Sequence, residues 1–120
     1  MNRLLEETLK EAEIPVKYYE YKGTEPEYIV YNEEAEQPVN YGDNKPLNTI
    51  VWWQVHLFAP KISNFRRRKK MIKRLLLDSG FIITDIVTLF EKETETIHVV
   101  ISCHMGESEE EYEQDWYSEC

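Results

Sequence analysis

The clearest alternation of hydrophobic and polar positions lies in residues 49–58, which contain no glycine or proline and are rich in β-branched and aromatic types. Because successive strand side chains point to opposite faces, this segment predicts a long strand with two different faces. We expect one face to point into the core; it carries Val51, Trp53, Val55 and Leu57. The other face carries Trp52, Gln54, His56 and Phe58. We expect this second face to be covered, either by another layer of the domain or by another subunit.

Apolar residues at helical spacing predict two amphipathic helices. The first covers residues 2–13. The second covers residues 63–78, because Ser63 or Asn64 is suited to capping a helix and Gly80 is suited to ending one. Its predicted apolar side consists of Phe65, Ile72, Leu75 and Leu76. Each helix therefore has one side that suits packing against a sheet.

Four further segments predict the remaining strands. Residues 16–21 and 28–31 are rich in tyrosine and valine, and we expect them to be neighbouring strands joined by a short loop. Residues 81–90 and 96–104 are separated by a polar turn and predict a hairpin. Most of these strands follow one another closely along the chain, which favours antiparallel pairing.

Residues 32–48 show no periodicity and predict a long loop. The segment contains two prolines, Gly42 and the pair Asp43 and Asn44, all of which favour turns. Long connections in compact domains usually have a functional role, so Asp43 and Asn44 are candidate contacts with another subunit or partner. The alternative is that they only form a turn.

The order of these elements predicts an α+β fold, with a mostly antiparallel sheet of four to five strands and two helices packed on one face. The other face of that sheet is then left without a layer from the same domain. Exposed apolar area on such a face costs free energy unless a partner buries it. Trp52, His56 and Phe58 are therefore candidate interface residues, and self-assembly is the simplest explanation for them.

Charge is concentrated in two blocks of the chain. Residues 61–74 contain eight basic residues and no acid; because the whole chain carries −9, the rest carries −17. Seven acidic residues fall in the last fourteen positions. We therefore expect one domain over residues 1–105, with residues 106–120 as a flexible acidic tail that cannot form a core of its own. A molecule polarised in this way can attract its own copies.

Candidate chemistry is sparse. Neither a Ser-His-Asp nor a Cys-His arrangement can be argued from spacing, and the four glycines form no phosphate-binding loop. His98 and His104 are about 20 Å apart on an extended strand, too far to share a metal ion. We therefore predict no enzyme activity, no metal and no cofactor. Cys103 and Cys120 are expected to be free thiols, and no apolar run suggests a membrane span.

The basic block of the second helix has three possible explanations. It forms a solvated face that offsets an acidic protein, it contacts an acidic neighbouring subunit, or it binds nucleic acid. The negative net charge disfavours DNA as the main partner. Five of its cations are candidate partner contacts: Arg66, Arg67, Lys70, Lys73 and Arg74.

Several short strings in this order resemble one known family. They are Glu-Tyr-Ile-Val-Tyr at 27–31, Tyr-Gly-Asp-Asn-Lys at 41–45, the strand at 52–57, the Ser-Gly-Phe at 79–81 that ends a helix, and the hairpin turn at 91–95. Together with the N-terminal helix, they resemble the tail terminator, or tail completion, proteins of long-tailed bacteriophages and prophages. The resemblance covers residues 3–104.

The resemblance implies a structural assembly protein. Members form a ring, generally hexameric, that caps the tail tube protein and offers a surface to the head connector, while DNA passes through the bore only as cargo. It further implies a location in the virion tail, with assembly in the cytoplasm of the bacterial host and no membrane partner. The alternative function is a small regulatory protein that binds nucleic acid through helix 63–78.

Overall fold

A computed structural model describes the backbone of residues 2–42 and 45–108, and the side chains of residues 4–39 and 48–106. The elements are α1 (Asn2–Lys10), β1 (Val16–Tyr18), β2 (Tyr28–Gly42), β3 (Lys45–Pro60), α2 (Phe65–Asp78), β4 (Ile82–Glu91) and β5 (Thr96–Ser108). The strands form one sheet in the order β1-β2-β3-β5-β4. β1 is parallel to β2, and the other pairs are antiparallel. The predicted α+β fold is confirmed.

The first helix is shorter than predicted. α1 ends at Lys10, after which the Ala12 amide donates to the Leu9 carbonyl in a turn and Glu13 takes a positive φ of 62°. Leu5, Leu9 and Ala12 are fully buried, so the apolar side that the sequence indicates does pack on the core. The turn then directs the chain into β1.

The second helix ends in a Schellman motif. The Phe81 amide donates to the Leu76 carbonyl at 3.0 Å, and the Gly80 amide donates to the Leu77 carbonyl at 3.1 Å. Gly80 has φ +93°, which a residue with a side chain adopts only at a cost. At the other end neither predicted cap forms, because Asn64 makes no side-chain capping bond and the Ser63 hydroxyl donates to the Pro60 carbonyl instead.

The prediction of a loop over residues 32–48 is wrong. β2 pairs with β3 from Tyr28 opposite Phe58 to Gly42 opposite Lys45, with one irregularity between Glu33 and Ala35. Backbone hydrogen bonds hold this ladder together. The part of it formed by residues 32–42 and 45–48, here called the β2–β3 arm, therefore needs no alternation of hydrophobic and polar side chains. β1 pairs with β2 only up to Tyr31, which leaves Pro38 on an uncovered edge where its missing N–H is tolerated. Asp43 and Asn44 lie outside the described residues.

The last two strands form the predicted hairpin, and the first two are neighbours as predicted, although parallel. β5 continues to Ser108, opposite Asn48 on β3. The first three residues of the acidic segment are therefore part of the sheet, and residues 109–120 lie outside the described part of the chain. None of the described helices has the length and apolar character needed to cross a membrane.

Both helices pack on the same face of the sheet. Leu5 and Leu9 of α1 and Ile72 and Leu76 of α2 belong to one buried cluster with the inward-facing residues of β2, β3 and β5. On β3 these are the four residues predicted for the core, and each is at most 2 % exposed: Val51, Trp53, Val55 and Leu57. The assignment of the two faces of β3 is therefore confirmed.

Candidate functional site

The face of the sheet opposite the helices, here called the open face, carries the second set of β3 side chains. Trp52, His56 and Phe58 are each only partly buried. Residues directly opposite each other on paired strands share a face, so the partners of these β3 residues on the neighbouring strands also lie on the open face. Among the residues placed on the open face in this way are Tyr28 and Asn32 on β2, His98 and His104 on β5, and Ile82, Asp85, Val87, Leu89 and Glu91 on β4.

A series of ring contacts crosses the open face. Tyr21, in the loop before β2, lies 4.5 Å from the ring centroid of Tyr28, and Tyr28 stacks on Phe58 at 4.9 Å. Phe58 stacks in turn on His98 at 4.2 Å. Farther along β3, the Trp52 ring lies 4.0 Å from that of His104. Aromatic groups on three strands and a loop therefore contact one another, and each remains partly exposed.

The exposed apolar side chains of the open face are concentrated on β4, which is an edge strand. Ile82 is 57 % exposed, Leu89 49 % and Val87 40 %. They extend the aromatic surface to the edge of the sheet. An uncovered surface of this kind is characteristic of a protein contact.

A chain of polar contacts lies among these rings. The distance between His56 Nδ1 and His98 Nε2 is 2.8 Å, and His56 Nε2 lies 3.0 Å from Asn32 Oδ1. Because the amide oxygen of Asn32 only accepts, His56 Nε2 donates to it, and His56 Nδ1 then accepts from His98. This arrangement holds His56 neutral. His98 is free to bind a second proton on Nδ1, which faces Glu91 at 3.9 Å.

Burial lowers the pKa of both histidines below the ordinary imidazole value. For His56 the neighbouring His98 lowers the pKa further, while for His98 the carboxylate of Glu91 opposes the effect of burial. The pair is therefore neutral at neutral pH. Nδ1 of His104 is buried and has no hydrogen-bond partner within the described chain.

The candidate cations lie on α2, on the opposite side of the sheet from the open face. Two other cations of α2 are partly buried: the guanidinium of Arg68 contacts the Ala12 carbonyl and lies 3.6 Å from a carboxylate oxygen of Glu27, and Lys69 donates to the Thr88 hydroxyl at 2.8 Å. Within the described residues no carboxylate pairs with the five candidate cations, here called the basic face: Arg66, Arg67, Lys70, Lys73 and Arg74. Apart from Asp43 and Asn44, which lie outside the described residues, the predicted site residues thus fall on two separate surfaces.

The described side chains show no cluster suited to metal chemistry. Among them, no three His, Cys, Asp or Glu groups come together in a way that could hold a metal ion. Cys103 is fully buried, and burial raises the pKa of its thiol to about 12, so it stays protonated and unreactive.

Sequence reasoning placed Trp52, His56 and Phe58 on one face but did not assign Tyr28, His98 or Leu89 to it. These three are brought there by strand register, which depends on residues far apart in the chain. No family model matches this chain, and no curated protein matches it.

Proposed function

We propose that this chain is a tail terminator protein of a long-tailed bacteriophage or prophage, which acts by forming a ring, generally hexameric, and carries out no chemistry of its own. The ring would cap the tail tube, offer a surface to the head connector and let DNA pass through its bore. The virion tail would be its final location. The observation that carries the proposal is the open face, a broad aromatic and aliphatic surface with no layer of the described chain over it.

The distribution of charge supports head-to-tail contacts between copies. The basic face lies on α2, whereas the rest of the chain is strongly acidic. A contact between two different surfaces of identical copies closes into a ring when the rotation between them allows it. Exposed ion pairs contribute only about 0–1 kcal/mol each and are screened by salt, so charge guides the encounter and apolar burial holds the copies together.

A second candidate function, nucleic-acid binding, is favoured by the basic face alone. Five cations without carboxylate partners in the described chain resemble a surface that neutralises phosphates. Proteins that bind single strands combine such cations with aromatic rings in the same groove. On the helix side only two rings contact cations, Phe65 at 5.7 Å from the Arg66 guanidinium and Phe90 at 5.3 Å from Lys61 Nζ, within the described residues. The series of rings on the open face lies on the opposite side of the sheet from the basic face, and the open face carries Asp85 and Glu91. The assembly function is therefore preferred.

Native mass spectrometry with and without duplex DNA distinguishes these two functions. We expect a ring of identical copies whose mass does not change when DNA is added. Lys70→Gln/Lys73→Gln/Arg74→Gln, which removes cations of the basic face, is the matched variant. A monomer or dimer that gains the mass of DNA, and loses that ability in the triple variant, would favour the regulatory protein and contradict the assembly function.

A further inference from the structure

The basic face contains a shallow groove near the end of α2. Among the described residues it is lined by three cations, one exposed leucine and one acid: Lys70, Lys73, Arg74, Leu77 and Asp78. Leu77 is 49 % exposed, so the groove combines exposed apolar surface with a net positive charge. It therefore suits a ligand that carries negative charge together with a bulky apolar group.

The same chain contains a segment with this chemistry. Residues 109–120 have six acidic residues and no basic one, and among the acids are three aromatic residues, Tyr112, Trp116 and Tyr117. The acids complement the three cations of the groove. The aromatic side chains suit both the exposed face of Leu77 and cation–π contact with a lysine or arginine.

The segment also begins close enough to reach the groove. The end of α2 lies beside β5, because a Cβ on Gly80 would be 3.3 Å from Cε of Met105. From Met105 the strand continues for three residues, about 10 Å. Lys70 lies eight residues before the end of α2, about 12 Å along the helix axis. Twelve extended residues span up to about 40 Å, which exceeds the sum of these distances.

We propose that residues 109–120 fold back onto the groove of α2 in the same chain. A tethered segment has an effective concentration in the millimolar range, so weak ion pairs and one aromatic contact are enough to keep it bound for much of the time. The docked segment covers Lys70, Lys73 and Arg74 and leaves Arg66 and Arg67 of the basic face for contact with a neighbouring copy. The inference concerns the single chain and does not depend on ring formation.

Paramagnetic relaxation enhancement from a nitroxide on Cys120 tests this proposal on the full chain. Cys103 is buried with a raised thiol pKa, so the label attaches to Cys120 alone. We expect loss of the amide signals of Lys70, Lys73 and Leu77 relative to the reduced, diamagnetic sample. Raising the salt concentration should restore these signals because the contact is largely ionic. Unchanged amide signals on α2 at low salt would overturn the proposal.

Two further samples separate docking within one chain from docking between copies. In the first, ¹⁵N protein without a spin label is mixed with spin-labelled ¹⁴N protein, and we expect no loss of amide signals. Broadening of the α2 amide signals in this mixture would show that the segment binds a neighbouring copy and would overturn the proposal. In the second, the labelled variant Lys70→Gln/Lys73→Gln/Arg74→Gln should keep its α2 signals. The matched control Lys10→Gln/Lys17→Gln/Lys22→Gln removes three cations elsewhere on the surface and should lose them as the unmodified chain does.

Discussion

The two adjacent tryptophans of β3 provide the sharpest test of the assignment of faces. Trp53 is 2 % exposed, faces the helices and lies 6.0 Å from the ring of Tyr31. Replacing a buried tryptophan by alanine costs about 3–5 kcal/mol, because apolar burial is lost and a cavity remains. Trp53 Nε1 is buried without a hydrogen-bond partner in the described chain, so its removal relieves a penalty of about 1–3 kcal/mol. We therefore expect Trp53→Ala to destabilise the protein by an amount near the lower end, about 3 kcal/mol.

Trp53→Phe separates packing from the unpaired N–H group. Phenylalanine keeps most of the ring and has no donor, so we expect a loss of less than about 1.5 kcal/mol. Trp52→Ala is the matched control on the open face, where the main contact is the ring of His104. Trp52 is only partly buried, so its alanine variant loses part of the burial term as well as the aromatic pair, which contributes about 0.5–1.5 kcal/mol beyond burial; the loss of protomer stability should be smaller than that of Trp53→Ala.

Urea unfolding followed by circular dichroism, at a concentration where the protein is monomeric, measures all three free energies of unfolding. The proposed self-association should respond in the opposite order, because Trp52→Ala removes area from the proposed interface while Trp53→Ala does not. Equal losses of monomer stability for Trp52→Ala and Trp53→Ala would refute the assignment of faces.

Three further predictions follow from single features of the structure. The folded-state pKa values of His56 and His98 lie below the unfolded value of about 6.5, so the unfolded chain binds protons first as the pH drops. The free energy of unfolding should therefore fall as the pH drops through and below that value, which chemical denaturation at several pH values measures. His98→Gln should flatten the dependence of the free energy of unfolding on pH. Gly80→Ala places a side chain at φ +93° and should cost about 1–2 kcal/mol in the same unfolding assay, whereas an unchanged midpoint would contradict the strain argument. Truncation after Ser108 leaves all described strands intact and should lower the free energy of unfolding by no more than about 1–2 kcal/mol. A tenfold preference of residues 109–120 for the docked over the free state is worth about 1.4 kcal/mol. A loss of several kcal/mol would show that the segment is part of the core.

Local patterns in the sequence predicted the elements that bury one face each. The β3 alternation assigned Val51 and Trp53 to the core, and the position of Gly80 predicted the end of α2; both are confirmed. The apolar side of α2 was predicted for the same reason, since a 3.6-residue period is visible within the segment itself. These features depend on neighbours in the chain.

The β2–β3 arm could not be predicted in this way. Residues 34–38 on its first strand are exposed, so their pairing leaves no alternation of hydrophobic and polar positions in the sequence, and the turn-favouring residues near Gly42 predict part of a longer loop instead. The same β2–β3 ladder, which pairs Gly42 with Lys45, sets Tyr28 against Phe58 at its other end. The cross-strand contacts of the open face therefore required the register of the whole sheet. The roles of Trp52, His56, Phe58 and the basic face in contacts between subunits stay predictions.

The proposed assembly function is tested most directly by deleting the gene for this chain from the genome that carries it, inducing lysis and examining the lysate by electron microscopy. Complementation with the unmodified gene and with Trp52→Ala serves as the control for the open face. The account predicts filled heads without attached tails, beside unjoined tails of abnormal length, with rescue by the unmodified gene and weaker rescue by the variant. Normal infectious particles from the deletion would contradict it.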